Sequence, residues 1–144
     1  MLWKKGVTLM EMIVILIIIG AVVAFALPNF TLPSEQARAL TAQNNLLAIY
    51  TAEQNFNNNN NSQGYANIAS LNLINKTLGL SIQDDGAYTY ACLATPNTCT
   101  AIRQNPFKAV IITVTLNSPI VLTGASPNPV CTPLSNSYAG WCSY

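Results

Sequence analysis

Residues 4–27 read KKGVTLMEMIVILIIIGAVVAFAL, and this stretch decides how the chain is organised. Within residues 7–27, all side chains except Thr8, Glu11 and Gly20 are plainly apolar. As an α-helix, this segment would be roughly 31 Å long, which is about the thickness of the hydrocarbon core of a bilayer. The sequence therefore predicts a membrane-spanning helix over residues 7–27, and no second apolar run of this length follows it.

Glu11 is the residue of this segment that most needs an explanation. A carboxylate near the middle of a membrane-length helix costs roughly 2.5 kcal/mol or more unless it finds a partner. An ionisable side chain in such a place is therefore a functional hypothesis by default. We expect its partner to be a positive charge on another copy of the same chain.

The composition indicates one membrane anchor followed by one polar head domain. The chain has 144 residues, of which 51% are hydrophobic and 8% are charged, a bias that is unusual for a soluble protein. The net charge is +1 and there is no clustered basic face, so no nucleic-acid partner is expected. Lys4 and Lys5 precede the apolar run, which places the amino-terminal side in the cytoplasm and the head outside it.

All four cysteines lie in the exported head, which favours an oxidising compartment and two disulfides. Three connectivities are possible on paper. We favour Cys92 with Cys99 and Cys131 with Cys142, because each pair brackets a short segment rich in proline and asparagine. The chain has no histidine and no C-x-x-C spacing, so we expect neither a metal site nor a cofactor.

Two processing signals overlap in the first thirty residues. A secretory signal peptide would be cut after Ala26, at the small-residue pattern of residues 24–26, and would release a soluble binding module that begins at Leu27. Glu11 disfavours this, because a charge weakens the apolar core of a signal peptide. The other interpretation places the cut after Gly6 and keeps the apolar run in the mature chain.

Residues 4–11, KKGVTLME, resemble the class III leader of type IV pilins and their relatives. The likeness continues to Pro28 and includes Gly20, since family members also carry a glycine and a helix-distorting proline there. The resemblance implies cleavage after Gly6, methylation of the new amino terminus at Val7, and an assembly role for Glu11, the fifth residue of the mature chain. Val7 is a departure, because the family most often has phenylalanine at this position.

The resemblance also implies an architecture and a set of partners. Residues 1–6 would be a leader, 7–58 a long helix kinked near Pro28, and 59–144 a disulfide-containing head. The fold class would be α+β, with the helix packed on a small antiparallel β-sheet as in pilins. The partners would be further copies in a helical homopolymer, a prepilin peptidase that also methylates, and an assembly platform in the inner membrane, which holds the subunit before the extracellular filament forms.

Three alternatives remain open at the level of the sequence. One is a pseudopilin of a type II secretion system, in which the disulfide-bounded loop near the carboxyl end of pilins is commonly absent. Another is the secreted binding module cut after Ala26. The third is a membrane-tethered domain that never polymerises.

The pairing of the new amino group at Val7 with Glu11 has a physical reason. Both groups lie in a low-dielectric setting among packed helices, where the charge of the amine has to be neutralised. Axially stepped neighbours can bring Glu11 of one subunit to Val7 of another. We expect such a pair to set the axial step of assembly more than to add net stability, because desolvation offsets much of the attraction.

The rest of the chain predicts a second helical stretch followed by strands. Residues 34–56 form a helix by composition, with Pro28 and Pro33 interrupting it on its amino-terminal side, and residues 67–80 form a short helix and loop. Strands are expected at 88–92, 109–116, 120–123 and 141–144, with an irregular loop over 127–137.

Catalysis is not expected. The chain lacks histidine, and its acids outside the apolar run are Glu35, Glu53, Asp84 and Asp85. Asp84 and Asp85 precede Gly86, and this pattern indicates a turn more than a calcium site.

Overall fold

The computed structural model describes residues 7–26, 31–60, 64–104, 110–122, 127–135, 138, 140 and 142. The chain divides into two compact units, residues 1–34 and 35–144. The elements are α1 (Leu9–Ala26), α2 (Thr31–Asn59), α3 (Leu71–Leu78), β1 (Tyr88–Leu93), β2 (Thr98–Arg103), β3 (Val110–Thr115) and β4 (Val130–Pro133). The chain is thus α+β, with an amino-terminal helix and an antiparallel sheet, as the sequence predicts.

The first unit contains α1, which matches the position of the predicted apolar helix and is 18 residues long. At its amino-terminal end, the Glu11 backbone N–H donates to Thr8 Oγ1 at 3.3 Å. Among the residues that the structure describes, no helix combines the length and the apolar character that a membrane crossing requires. The predicted kink at Pro28 lies outside the described residues, as does Gly6.

Helix α2 is longer than predicted at both ends. It begins at Thr31, so the expected interruption at Pro33 is wrong: Pro33 is the third residue of the helix. In the first turn, backbone N–H groups have no partner inside the helix, so a proline there removes no hydrogen bond. At the other end the helix continues to Asn59, past the predicted end at residue 56.

The four strands form one antiparallel meander in the order β1-β2-β3-β4. In its register Cys92 faces Cys99 across β1 and β2, while Ile112 faces Cys131 across β3 and β4. The predicted strands at 88–92 and 109–116 correspond to β1 and β3. The sequence did not predict β2, and it assigned β4 to an irregular loop.

The return strand predicted at 120–123 is wrong as far as the described residues reach. Val121 forms one isolated bridge with Asn128, and Leu122 is 62% exposed. An apolar run continues as a strand where a neighbouring strand and a core face are available, and these two side chains have neither. The strand predicted at 141–144 lies almost wholly outside the described residues.

The core of the second unit lies between one face of α2 and one face of the sheet. Side chains alternate along β3 in the pattern of a strand with one buried face. Helix α3 adds to this core through Leu71 and Ile74, and it is bounded by Ser70 at its N-cap and Gly79 at its C-cap. The buried apolar residues contributed by α2 and the sheet are Ala39, Ala42, Leu46, Ile49, Tyr88, Tyr90, Cys92, Cys99, Ala101, Val110, Ile112 and Val114.

Asn128 holds the segment between β3 and β4 by its side chain. Its Oδ1 accepts from the Thr115 backbone N–H at 2.8 Å, and its Nδ2 donates to the carbonyl oxygens of Thr115 and Ser118 at 2.9 and 3.0 Å. The residue is buried. Its amide group therefore replaces the strand pairing that this part of the chain lacks.

We predict that Asn128→Ala lowers the free energy of unfolding by about 1–3 kcal/mol, because it removes the part-buried hydrogen bonds of the Asn128 amide to the backbone of Thr115 and Ser118. Urea denaturation followed by circular dichroism measures the change. Asn67→Ala is the matched control, since Asn67 is exposed. Equal stability of the two variants would contradict the structural role of the Asn128 amide.

Candidate functional site

The first unit presents an apolar helix with one acid at its start. The large apolar side chains from Val7 to Val23 are each at least 43% exposed. They lie on all sides of α1, without a separate polar face. A helix that is apolar all round is normally buried in protein or lipid, so α1 needs surroundings that its own side chains do not supply.

Thr8 and Glu11 form the amino-terminal cap of this helix. Thr8 stands at the N-cap position, and its hydroxyl accepts the hydrogen bond from the backbone of Glu11, three residues later. A carboxylate in the first helical turn is also favoured by the helix dipole. The pattern T-x-x-E was visible in the sequence, and its capping role was missed because Glu11 was interpreted through assembly alone.

Gly20 lies in the middle of α1, in open space. A Cβ atom built on it would meet no other atom within 4 Å. Nothing in the described part of the subunit therefore requires a glycine at this position. Of the other predicted assembly residues, Val7 is described and exposed, whereas Gly6 and Pro28 lie outside the described residues.

In the second unit, Glu35 and Arg103 form a buried ion pair that the sequence analysis did not find. Arg103 Nε and Nη2 donate to the two carboxylate oxygens of Glu35 at 2.8 and 3.0 Å. Arg38 adds a third hydrogen bond, from its Nη1 to Oε1 of Glu35 at 2.7 Å. Arg103 Nη1 also donates to the carbonyl oxygen of Ala87, so the pair joins the first turns of α2 to the start of β1.

These contacts set the protonation state of Glu35. The hydrogen bonds from Arg103, with the charges of Arg103 and Arg38, hold the pKa of Glu35 below its ordinary value of 4.5, although burial acts in the opposite direction. Glu35 is therefore ionised at neutral pH. A bidentate arginine contact also fixes geometry, so the pair defines how α2 is oriented on the sheet.

Glu53 is the second buried acid, and its surroundings are the opposite of those of Glu35. Its side chain is fully buried. Oε2 accepts the Ala66 backbone N–H at 2.9 Å, and Oε1 has no hydrogen-bond partner. Burial raises the pKa of Glu53 above 4.5, and the Ala66 hydrogen bond only partly opposes this.

Glu53 lies against a disulfide. Cys92 is bonded to Cys99, and Cys131 to Cys142, which are the local pairs that the sequence favoured. A carboxylate oxygen of Glu53 and the Sγ atoms of Cys92 and Cys99 all lie within 4.8 Å of one another. Both of these cysteines are fully buried, whereas Cys131 and Cys142 are half-buried.

Asp84 and Asp85 stabilise a turn. Asp84 Oδ1 accepts the Gly86 backbone N–H and Asp85 Oδ1 accepts the Ala87 backbone N–H, both at 2.9 Å. Gly86 has a φ of 67°, a conformation that glycine adopts without strain. The arrangement is the turn that the sequence indicates before β1.

Comparison with curated proteins finds similarity to the type IV major pilin protein PilA of Myxococcus xanthus, which is 38% identical over 53 residues. The match covers 37% of this chain and 24% of PilA, so the chain matches about a quarter of its relative's length. No family model matches the chain, and no solved structure matches it. The similarity to PilA supports a family relationship with type IV pilins, as the resemblance of the first thirty residues predicts.

The two buried acids predict opposite effects of pH on the stability of the second unit. Glu35 has a lowered pKa in the folded state, so its contribution is present above pH 4.5 and is lost as the pH falls through the folded pKa. Glu53 has a raised pKa, so its contribution is complete below pH 4.5 and is lost as the pH rises through the folded pKa.

Urea denaturation between pH 3 and pH 8 checks this prediction in the unsubstituted protein, Glu53→Gln and Glu35→Gln. We expect Glu53→Gln to remove the loss of stability above pH 4.5, and Glu35→Gln to remove part of the loss below it. Glu35→Gln also destabilises the protein at pH 7, because Arg103 is left buried without its counter-charge. Parallel pH profiles of Glu53→Gln and the unsubstituted protein would contradict the assignment of Glu53.

Proposed function

We propose that this chain is a structural subunit of an extracellular type IV pilus filament. The observation that carries the proposal is α1, an 18-residue helix with apolar, exposed side chains on all sides and Glu11 in its first turn. Such a helix gains stability when other helices bury it. In a helical polymer the copies of α1 from neighbouring subunits would supply that burial.

The amount of apolar surface supports an assembly role. Burying one large aliphatic side chain contributes about 1.5–3 kcal/mol, and α1 offers more than ten such side chains. This driving force has no direction along the helix axis, so it does not choose one axial step over another. In the filament, Glu11 would select the axial step, because its carboxylate would pair with a positive charge. Gly20 would allow a close approach of neighbouring helices, because it has free space around it.

Processing is part of the proposal. A prepilin peptidase would cut after Gly6 and methylate Val7, which creates the amino group that pairs with Glu11 of a neighbouring subunit. Before assembly the apolar segment 7–27 would lie in the inner membrane, a step that rests on the sequence alone. An assembly platform in that membrane would then add the subunit to the filament. No enzymatic activity and no cofactor are proposed for the chain.

The experiment that tests the proposal first is mass spectrometry of the amino-terminal peptide from the native organism. We expect a mature chain that begins at Val7 and carries a methyl group on its amino nitrogen. A chain that begins at Leu27 would mean a secreted module without α1 and would overturn the proposal.

We predict that Glu11→Gln reduces the amount of subunit in filaments at least about tenfold, since a neutral amide does not neutralise the amino group of a neighbour. Sheared filaments and membranes are compared by immunoblotting. Glu11→Asp retains the charge and should restore part of the assembly, and Lys76→Ala, an exposed change on α3, is the control in the head. Normal filaments from Glu11→Gln would disprove the role of its carboxylate. Subunits that stay in short periplasmic assemblies would instead indicate a pseudopilin.

A further inference from the structure

The proposed assembly makes no use of the cluster of Glu53, Cys92 and Cys99, and the packing of the two cysteines in the core does not explain the acid beside them. A charged or polar side chain that is fully buried normally has all its hydrogen-bonding atoms paired. Oε1 of Glu53 is buried and unpaired, and the nearest reactive atoms are the two disulfide sulfurs, within 4.8 Å of its carboxylate. The hydrogen bond from the Ala66 backbone accounts for Oε2 of Glu53 but not for Oε1.

Strand pairing and backbone hydrogen bonds fix the position of the cluster. Cys92 and Cys99 face each other directly across β1 and β2. The backbone of Cys92 exchanges hydrogen bonds with Ile68, at 2.7 and 2.8 Å, and the Ala66 amide holds the Glu53 carboxylate at 2.9 Å. The segment that contains Ala66 and Ile68 therefore keeps the acid and the sulfurs together.

We propose that Glu53 transfers the protons when the thiols of Cys92 and Cys99 are oxidised to the disulfide. A thiol reacts as its thiolate, and a buried thiol ionises poorly because its charge is not solvated. A base within the same buried site removes this barrier. Glu53 is that base, and it is the only acid that lies in this cluster among the described residues.

The chemistry balances with a peroxide as the oxidant, which is small enough for a buried site. Glu53 takes the proton of one thiol, and the sulfur attacks the peroxide: an S–O bond forms and the O–O bond breaks. The leaving hydroxide takes the proton from Glu53 and becomes water, which leaves a sulfenic acid. Glu53 then takes the proton of the second thiol, whose sulfur attacks the sulfenic acid: the S–S bond forms and the S–O bond breaks. The leaving hydroxide takes the proton from Glu53 and becomes a second water, which returns Glu53 to its carboxylate form.

The direction of the pKa shift of Glu53 fits this role. A proton-transfer group works best when its pKa lies near the working pH, and burial raises the pKa of the Glu53 carboxyl above 4.5. No charged side chain contributes to the shift, since its causes are burial and the Ala66 amide. The groups placed at the carboxyl by distance are that amide and the two sulfurs.

The second disulfide provides an internal comparison. Cys131 and Cys142 are half-buried, and no acid of the described residues joins them in a cluster. Once they are reduced, their thiols can pass protons to water without a neighbouring base. The two pairs therefore differ in the pH dependence of their oxidation, within one molecule.

The test uses the full chain in detergent, reduced with a phosphine and then exposed to hydrogen peroxide between pH 5 and pH 9. Alkylation at timed points and peptide mass spectrometry follow each cysteine pair separately. We expect the rate for Cys92 and Cys99 to rise at a lower pH than the rate for Cys131 and Cys142. If both rates rise together in the range of ordinary thiols, the proposal is overturned, and this result needs no variant.

Glu53→Gln provides the second test, because it keeps an oxygen for the Ala66 hydrogen bond and removes the base. We expect the rate for Cys92 and Cys99 at neutral pH to fall on the order of 100-fold, with the rate for the other pair unchanged. Glu53→Asp should recover part of the loss. Glu35→Gln is the matched control, since it removes a buried acid of the same helix outside the cluster. Equal slowing by Glu35→Gln and Glu53→Gln would assign the effect to stability and overturn the proposal.

Discussion

The burial of one face of α2 against the sheet is the constraint on which the second unit depends. The buried residues of this face are spaced by four and three positions, as helical geometry requires: Glu35, Ala39, Ala42, Leu46, Ile49 and Glu53. Small side chains at its start allow a close approach, and larger ones fill the middle. An acid lies at each end of this face, and the surroundings lower the pKa of Glu35 and raise that of Glu53.

The two ends of this face do different work. At the first, Glu35 is ionised and accepts hydrogen bonds from two arginines. A charged cluster therefore borders this end of the core, and it depends on the positions of these side chains. At the second, Glu53 forms no ion pair with any residue that the structure describes, and it borders a disulfide. A buried ion pair tends to specify an arrangement more than to stabilise it, whereas an unpaired buried carboxyl costs stability at neutral pH. The presence of the second acid therefore calls for a chemical reason.

The sequence predicted the class of the fold and the apolar helix, because both depend on long and simple patterns. It predicted β1 and β3 for the same reason, since each has a run of β-branched or aromatic residues. It missed β2 and β4, which contain cysteine, threonine, arginine and proline and become strands through their neighbours. The prediction for 120–123 failed in the other direction, because an apolar run there has no neighbouring strand to continue it.

The buried face of α2 was partly within reach of the sequence. The large apolar side chains of residues 34–56 indicate its middle, since Leu46 and Ile49 are buried, but Leu40 is 44% exposed, and large side chains alone leave out the alanines and the acids. The helical spacing that connects Ala39 to Glu53 was present, but an acid on an apolar face is normally taken as evidence against burial. The partner that makes Glu35 acceptable there, Arg103, is 68 residues away and in a strand that the sequence did not predict.

The two units obtain their stability in different ways, and this difference bears on assembly. The second unit closes its own core, pairs its strands and carries both disulfides, so it has little need of other subunits to remain folded. The first unit leaves its apolar side chains exposed and pairs its one acid with no cation among the described residues. The long run of exposed apolar side chains among the described residues thus lies in α1. In the proposed filament, neighbouring subunits would cover these side chains.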